Sequence, residues 1–332
     1  MAGLTPEQLS SFQENGFLVI PDFLSKQEIS TLLATTSDLL ENFDLSTHPL
    51  TRFTTGEDPN DADSSTQHVG DDYFLSSGDK IRFFFEPEAF SRDNPSTLSR
   101  PKHLAVNKIG HSVHSLSKPF SSITYSGLTG AKNADIARSL GFRDPRILQS
   151  MVICKQPGIG APVPPHKDSE FLYTRPPSAV GWWIALQDAG RDNGALGFWK
   201  GSHKTGRVRR RFVRKNEMAA EQPENIGGAG TEFIEWQGPG LPADLSHIDT
   251  DQDQADYTPS DNDYELVEVK AGSLVLIHGN VLHKSEANAS GKSRIAYTFH
   301  VIEGVDGWEF DERNWLQPLS SSDGFTRLFG QH

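Results

Sequence analysis

The chain has 332 residues, 36% of them hydrophobic and 23% charged, with a formal net charge of −13. This is the make-up of a globular protein long enough for one large domain or two ordinary ones. The acidic balance argues against a nucleic-acid partner, which needs a basic footprint, and no apolar run reaches the length of a membrane-spanning helix.

The opening, MAGLTPEQLSSFQENG, is polar and helix-like, unlike a secretion signal. Thr5 stands at a helix cap, Pro6 at the first helical position and Gln8 where a reciprocal capping box needs it, and Gly16 closes the helix. Ser25 and Glu28 repeat the device and open a second helix through ISTLLATTSDLL, and GFLVIPDF between the two reads as a short strand. Residues 45–78 read mostly as loop, KIRFFFEP as a buried strand and NADIARSLG as a short helix. From about residue 148 short apolar runs recur, bounded by Gly, Pro or Asn: LQSMVICK, SAVGWWIALQD, GALGFWKGSH, YELVEVKAGSLVLIHG and RIAYTFHVIEG. Such runs predict a sandwich or barrel. The expected fold class is α+β. No composition break divides the chain, so it reads as one domain, 1–332, with a helical N-terminal part (about 1–145) packed on a β-rich core (about 146–305).

The one cysteine, Cys154, rules out an internal disulfide, fits a reducing compartment and reads as a core thiol. The tail FGQH is not a peroxisomal SKL-type address. The expected location is therefore cytoplasmic.

Two stretches read as loops inside the β region. RVRRRFVRK puts six basic residues into positions 207–215. A solvated loop or strand edge is the plainer reading, a phosphate-holding patch for a CoA-like or nucleotide substrate the sharper one. IDTDQDQADYTPSDNDYE superficially offers a calcium loop from Asp249, Asp251 and Asp253, but its sixth position is Gln254 and its twelfth Ser260, where glycine and glutamate are needed.

The stretch PPHKDSEFLYT places His166 two residues before Asp168. With 12 histidines and 25 aspartates, about one such pair is expected by chance, and His247 with Asp249 makes a second. In an extended strand, residues i and i+2 face the same way, so both side chains of the first pair could reach one metal. Two histidines and one carboxylate form the facial triad of non-haem Fe(II) oxygenases, and downstream His278 and His283 could each supply the third ligand. In RIAYTFH one face carries Arg294, Ala296, Thr298 and His300 and the other Ile295, Tyr297 and Phe299. Periodicity leaves a ligand-lined interior and a half-exposed strand equally open for Arg294. In VGWWIALQ, Trp183 shares a face with Gly181, Ala185 and Gln187, opposite a wholly apolar face.

GFLVIPDFLS, VNKIGHSVH, QSMVICKQPG, PPHKDSEFLYT, GALGFWKGSH, LVLIHGNVLHKSEANASGKSRIAYTFH and NWLQP occur in that order across nearly the whole chain. In this the sequence resembles the phytanoyl-CoA dioxygenase (PhyH-like) family of Fe(II)/2-oxoglutarate oxygenases, and within it the phytanoyl-CoA dioxygenase domain-containing group. The resemblance implies a double-stranded β-helix (jelly-roll, cupin-like) core with N-terminal and flanking helices. It implies Fe(II) held by His166, Asp168 and His283, with His278 excluded, and Arg294 pairing the far carboxylate of 2-oxoglutarate. Lys108, Met151 and Trp183 would line the cosubstrate pocket. His203 becomes a turn feature, and His111 and His114 non-ligands. The implied reaction uses O2 to oxidise a small-molecule or acyl-type substrate, releasing succinate and CO2. Asp168 favours hydroxylation or another oxidation over halogenation, which requires loss of the carboxylate. Two other readings use the same residues: a metal-dependent hydrolase or isomerase on a cupin-like barrel, against which Arg294 counts, and a non-catalytic binding protein.

Overall fold

The computed structural model describes residues 3–53, 71–215, 230–245, 259–318 and 324–329. The acidic stretch from 246 to 258, with His247 and Asp249, lies outside them.

Both expected N-terminal helices form. In α1 (Pro6–Asn15) Thr5 and Gln8 complete the capping box, and Gly16 ends the helix at φ 82°, a left-handed conformation that favours glycine. Strand β1 (Phe17–Ile20) follows. In α2 (Lys26–Asn42) Ser25 and Glu28 cap reciprocally, and Leu32, Thr36 and Leu40 form the buried stripe. The stretch to about 145 is not simply helical, because β2 (Ile81–Phe85) and β3 (Val106–His111) follow before α3 (Leu128–Ser139). Strand β3 is VNKIGH and buried at all six residues. Its Asn, Lys and His break any apolar pattern, so its sequence does not read as a strand.

The β-rich core begins with β4 (Pro145–Lys155) and β5 (Val163–His166). It continues through β6 (Val180–Ala185), β7 (Leu196–Phe198), β8 (Arg210–Arg214) and β9 (Thr231–Glu235). Strands β10 (Glu265–Val267), β11 (Leu274–His278), β12 (His283–Ser285), β13 (Arg294–Glu303) and β14 (Thr326–Arg327) complete it. The main sheet runs β1-β11-β6-β13-β4-β3-β2, with β14 added to β4; the smaller sheet runs β10-β7-β12-β5, and β8 pairs with β9. The pairings within these sheets are antiparallel. Together they make the α+β, jelly-roll architecture.

Strand alternation divides the apolar residues. Val180, Trp182 and Ile184 of β6, with Tyr297 and Phe299 of β13, join Leu32, Leu40 and Ile136 of the helices in one core. Trp183, Ala185 and Ala296 on the other face pack towards Leu196 and Phe198 of the smaller sheet. Each large side chain so buried contributes about 1.5–3 kcal/mol. Cys154 lies in the helix-side core, and burial pushes its thiol up to about 12, as expected of an inert core cysteine.

The 207–215 segment takes the strand-edge form: Arg207, Arg209 and Lys215 are exposed, and Arg210–Arg214 is a strand of a two-stranded sheet. Arg211 is 1% exposed and pairs with Asp311 (2.7 Å) and Asn314 (3.2 Å). Arg210 pairs with Glu170 (2.8 Å), and Arg214 donates to Trp315 O (2.7 Å). Arginine's planar fork suits such internal pairing, and here it ties β8 to the segment around residue 311.

Candidate active site

The smaller sheet places the two histidines. His166 ends β5, His283 begins β12, and they are direct cross-strand partners with ring centres 4.3 Å apart. The strand expected through Asp168 stops at His166. Asp168 instead opens a single 3-10 turn, Asp168–Glu170, whose backbone anchors at Ser169 N to Gly279 O (2.9 Å). Lys167 between the pair is still extended, so both side chains face one side as alternation requires, and the turn begins only at Asp168. Asp168 Oδ1 lies 3.7 Å from His166 Nε2 and 3.8 Å from His283 Nε2. Among the described residues these three form the one group of His, Cys, Asp or Glu whose ligand atoms converge, all within 4.8 Å.

Backbone carbonyls orient both rings. His166 Nδ1 lies 2.9 Å from Pro164 O and His283 Nδ1 3.1 Å from Val281 O. Each Nδ1 must donate there, which leaves the Nε2 lone pair facing the carboxylate. Burial pushes His283 down to about 4, so its imidazole is neutral. Burial opposes ionisation of Asp168, yet His300 beside it holds its carboxyl well below the usual range. Two imidazoles and one ionised carboxylate suit a divalent first-row metal and leave further coordination positions open.

A cavity of ≈190 Å³ extends from this cluster between the sheets, lined among others by Lys108, Met151, Trp183 and Arg294. Those four come from β3, β4, β6 and β13, neighbours in the main sheet. Thr298 of β13 sits opposite both Met151 and Trp183. Arg294 is 1% exposed; Nη2 donates to Gly194 O (2.9 Å), but Nε and Nη1 have no partner. Burial lowers its guanidinium to about 10, still a cation at neutral pH. A buried cation with unpaired donors is costly unless an anion completes it, so a carboxylate-bearing ligand fits this end of the cavity. Burial also pushes the Lys108 ammonium down to about 7; it stands 3.0 Å from the centre of the Phe53 ring.

His278 stands apart from the cluster. It lines a separate cleft of ≈730 Å³ with His203, their rings 4.7 Å apart. Its Nδ1 accepts from Asn280 N (3.1 Å), and burial lowers it to about 3. His203 bonds Gln13 O (2.9 Å), His114 bonds Ser150 Oγ (2.8 Å), and neither joins the cluster. His111 also stays outside it but lines the cavity, its Nδ1 held by Ser77 Oγ at 2.7 Å. Sequence reasoning assigned no role to His300, which reaches Asp168, or to the aromatic wall of Phe53, Phe74, Phe171, Phe212 and Trp315. Shared strand face with Arg294 was the available signal for His300. The wall comes from distant segments and had none.

A family model described as phytanoyl-CoA dioxygenase (PhyH) matches residues 12–296. Phytanoyl-CoA dioxygenase of Arabidopsis thaliana is 40% identical over 314 residues, 95% of this chain and 94% of the relative. Phytanoyl-CoA dioxygenase domain-containing protein 1 of Bos taurus is 42% identical over 320 residues, 96% of each chain. Two solved structures are similar in fold. The non-haem α-ketoglutarate-dependent epimerase SnoN from nogalamycin biosynthesis has TM-score 0.54 and 14% identity, over 97% of this chain and 92% of that one. EctD from S. alaskensis with 2-oxoglutarate and 5-hydroxyectoine has TM-score 0.51 and 18% identity, over 91% and 77%.

Proposed function

The chain belongs to the phytanoyl-CoA dioxygenase family, and from that premise we propose the residues that perform its chemistry and the class of its substrate. It is an enzyme, an Fe(II)- and 2-oxoglutarate-dependent dioxygenase. His166, Asp168 and His283 hold the iron, and Arg294 pairs the far carboxylate of 2-oxoglutarate. Lys108, Met151 and Trp183 wall the cosubstrate. Bound iron and 2-oxoglutarate supply the oxidising power, with O2 as oxidant and succinate and CO2 as products.

The observation that carries this assignment is Arg294, a buried guanidinium with two unpaired nitrogens in the same cavity as the triad. Hydrolysis or isomerisation at the same triad has no use for that group. The remaining side chains orient and exclude. Carbonyls of Pro164 and Val281 fix the histidine tautomers, and the aromatic wall keeps water from the reacting centre. The wall suits the apolar part of a small-molecule or acyl-type substrate, and the relatives' names point to acyl chemistry. Arg210, Arg211 and Arg214 are engaged within the protein, which takes three of the six basic residues of 207–215 out of any phosphate patch.

We further propose that residues 1–332 form one domain, since β3 of the N-terminal part pairs with β4 of the core. Among the described residues no helix is long and apolar enough to cross a membrane. The lone buried cysteine supports a cytoplasmic location. Incubation with Fe(II), 2-oxoglutarate and O2 tests the activity. Succinate should form, faster with a turned-over substrate present, and its absence under all conditions would refute the reading.

A further inference from the structure

We propose that His300, braced by Gln149, is the residue that positions Asp168 as a one-oxygen metal ligand. This rests on the oxygenase reading above. The two carboxylate oxygens of Asp168 face different partners. Oδ1 turns to the Nε2 atoms of His166 and His283, at 3.7 and 3.8 Å. Oδ2 turns away to His300 Nε2 at 3.3 Å. His300 belongs to β13 and is 7% exposed. It is not part of the converging ligand group.

The hydrogen-bond network assigns the proton. Gln149, opposite His300 across the β4–β13 pairing, sets its Nε2 3.4 Å from His300 Nδ1. An amide nitrogen only donates, so Nδ1 accepts and the ring proton sits on Nε2, the nitrogen 3.3 Å from Asp168 Oδ2, a buried oxygen that no group hydrogen-bonds as placed. The reverse amide would take that proton on the far side and leave two lone pairs facing each other at Oδ2.

A third residue makes room for the contact. Gly181 lies directly opposite His300 on β6. A Cβ there would come within 3.2 Å of Asp168 Oδ2 and 3.4 Å of His300 Nε2, wedging into the gap between them. A carboxylate can bind a metal through one oxygen or both. The His300 N–H closing on Oδ2 would withhold the second oxygen, which keeps open a coordination position that cosubstrate and O2 need.

Titration with Co(II), followed by its visible absorption, tests this without turnover. Loss of such a supporting hydrogen bond typically costs on the order of 10- to 100-fold in metal affinity. His300→Ala should show a loss of that size, and Gly181→Ala and Gln149→Leu smaller losses. His300→Gln, which keeps a donor near Oδ2, should recover most of the affinity. Native affinity and spectrum in His300→Ala would overturn the proposal, as would His300→Gln no better than His300→Ala. Should His300→Ala fail to fold, native affinity in both Gly181→Ala and Gln149→Leu would overturn it. Failure of the unaltered chain to take up Co(II) would instead refute the oxygenase reading itself.

Discussion

Arg294 is a residue whose cost to the free protein identifies its ligand. Its guanidinium is desolvated, and only Nη2 is satisfied, by Gly194 O. A charge-assisted hydrogen bond contributes about 1.5–3 kcal/mol. Arg294→Met should therefore weaken 2-oxoglutarate binding by on the order of 10- to 100-fold while metal affinity stays native. Removing an uncompensated buried cation should also leave the ligand-free variant at least as stable as the native chain. Calorimetric titration with 2-oxoglutarate and a thermal melt check both; unchanged cosubstrate affinity would contradict the role. Residue types alone left this position open between a ligand-lined interior and a half-exposed strand, and the family resemblance supplied its role. What they could not show was that His300 on the same face reaches Asp168, because that contact depends on Gly181 of a neighbouring strand. Nor could spacing show that Asp168 leaves its strand. The His-x-Asp separation fits extended backbone, which holds through Lys167, and the 3-10 turn that follows is anchored by Ser169 bonding to Gly279, 110 positions away in sequence.

Elements with local rules were the most readable. Both N-terminal helices announce their starts through Thr5/Gln8 and Ser25/Glu28, and both capping boxes form. Glu28 also accepts from Thr129 Oγ1 at 2.6 Å, which ties the start of α2 to α3. Ser25→Ala should cost about 1 kcal/mol of stability without changing metal or cosubstrate affinity, measured by urea denaturation beside a binding titration. A loss of affinity instead would mean that α2 supports the site directly. Strand β3 shows where local rules fail. Lys108 is buried there between Asn107 and Ile109 because the fold covers both faces of the strand, and no periodicity records a lysine that faces a ligand cavity. The arginines of 207–215 mislead in the opposite sense. Their charge suggests solvent, and Arg207 and Arg209 are exposed, while Asp311, Asn314 and Glu170, remote in sequence, take Arg211 and Arg210 inside.

At the scale of the whole molecule, the fold holds several buried cations in a chain of net charge −13, and this gives stability a pH dependence. Burial pushes Lys108 down to about 7, well below its ordinary value of 10.5. Between those limits the unfolded chain binds a proton that the folded chain does not, so stability rises with pH through that window. Lys108→Met should be more stable than the native chain at pH 7 and gain less between pH 7 and 9.5. Equal gains in the two proteins, by urea denaturation at both pH values, would contradict it. The architecture serves the site by division of labour: the smaller sheet and its adjoining turn hold His166, Asp168 and His283, while the main sheet presents Arg294, Lys108, Met151 and Trp183. The central claim is that these groups act together and that His283, not His278, completes the triad. Anaerobic titration with Fe(II) and 2-oxoglutarate, monitored for the weak visible charge-transfer band, tests it most directly. The band should appear in the native chain and in His278→Ala and vanish in His283→Ala; a band that survives in His283→Ala, or never appears in the native chain, would contradict the account.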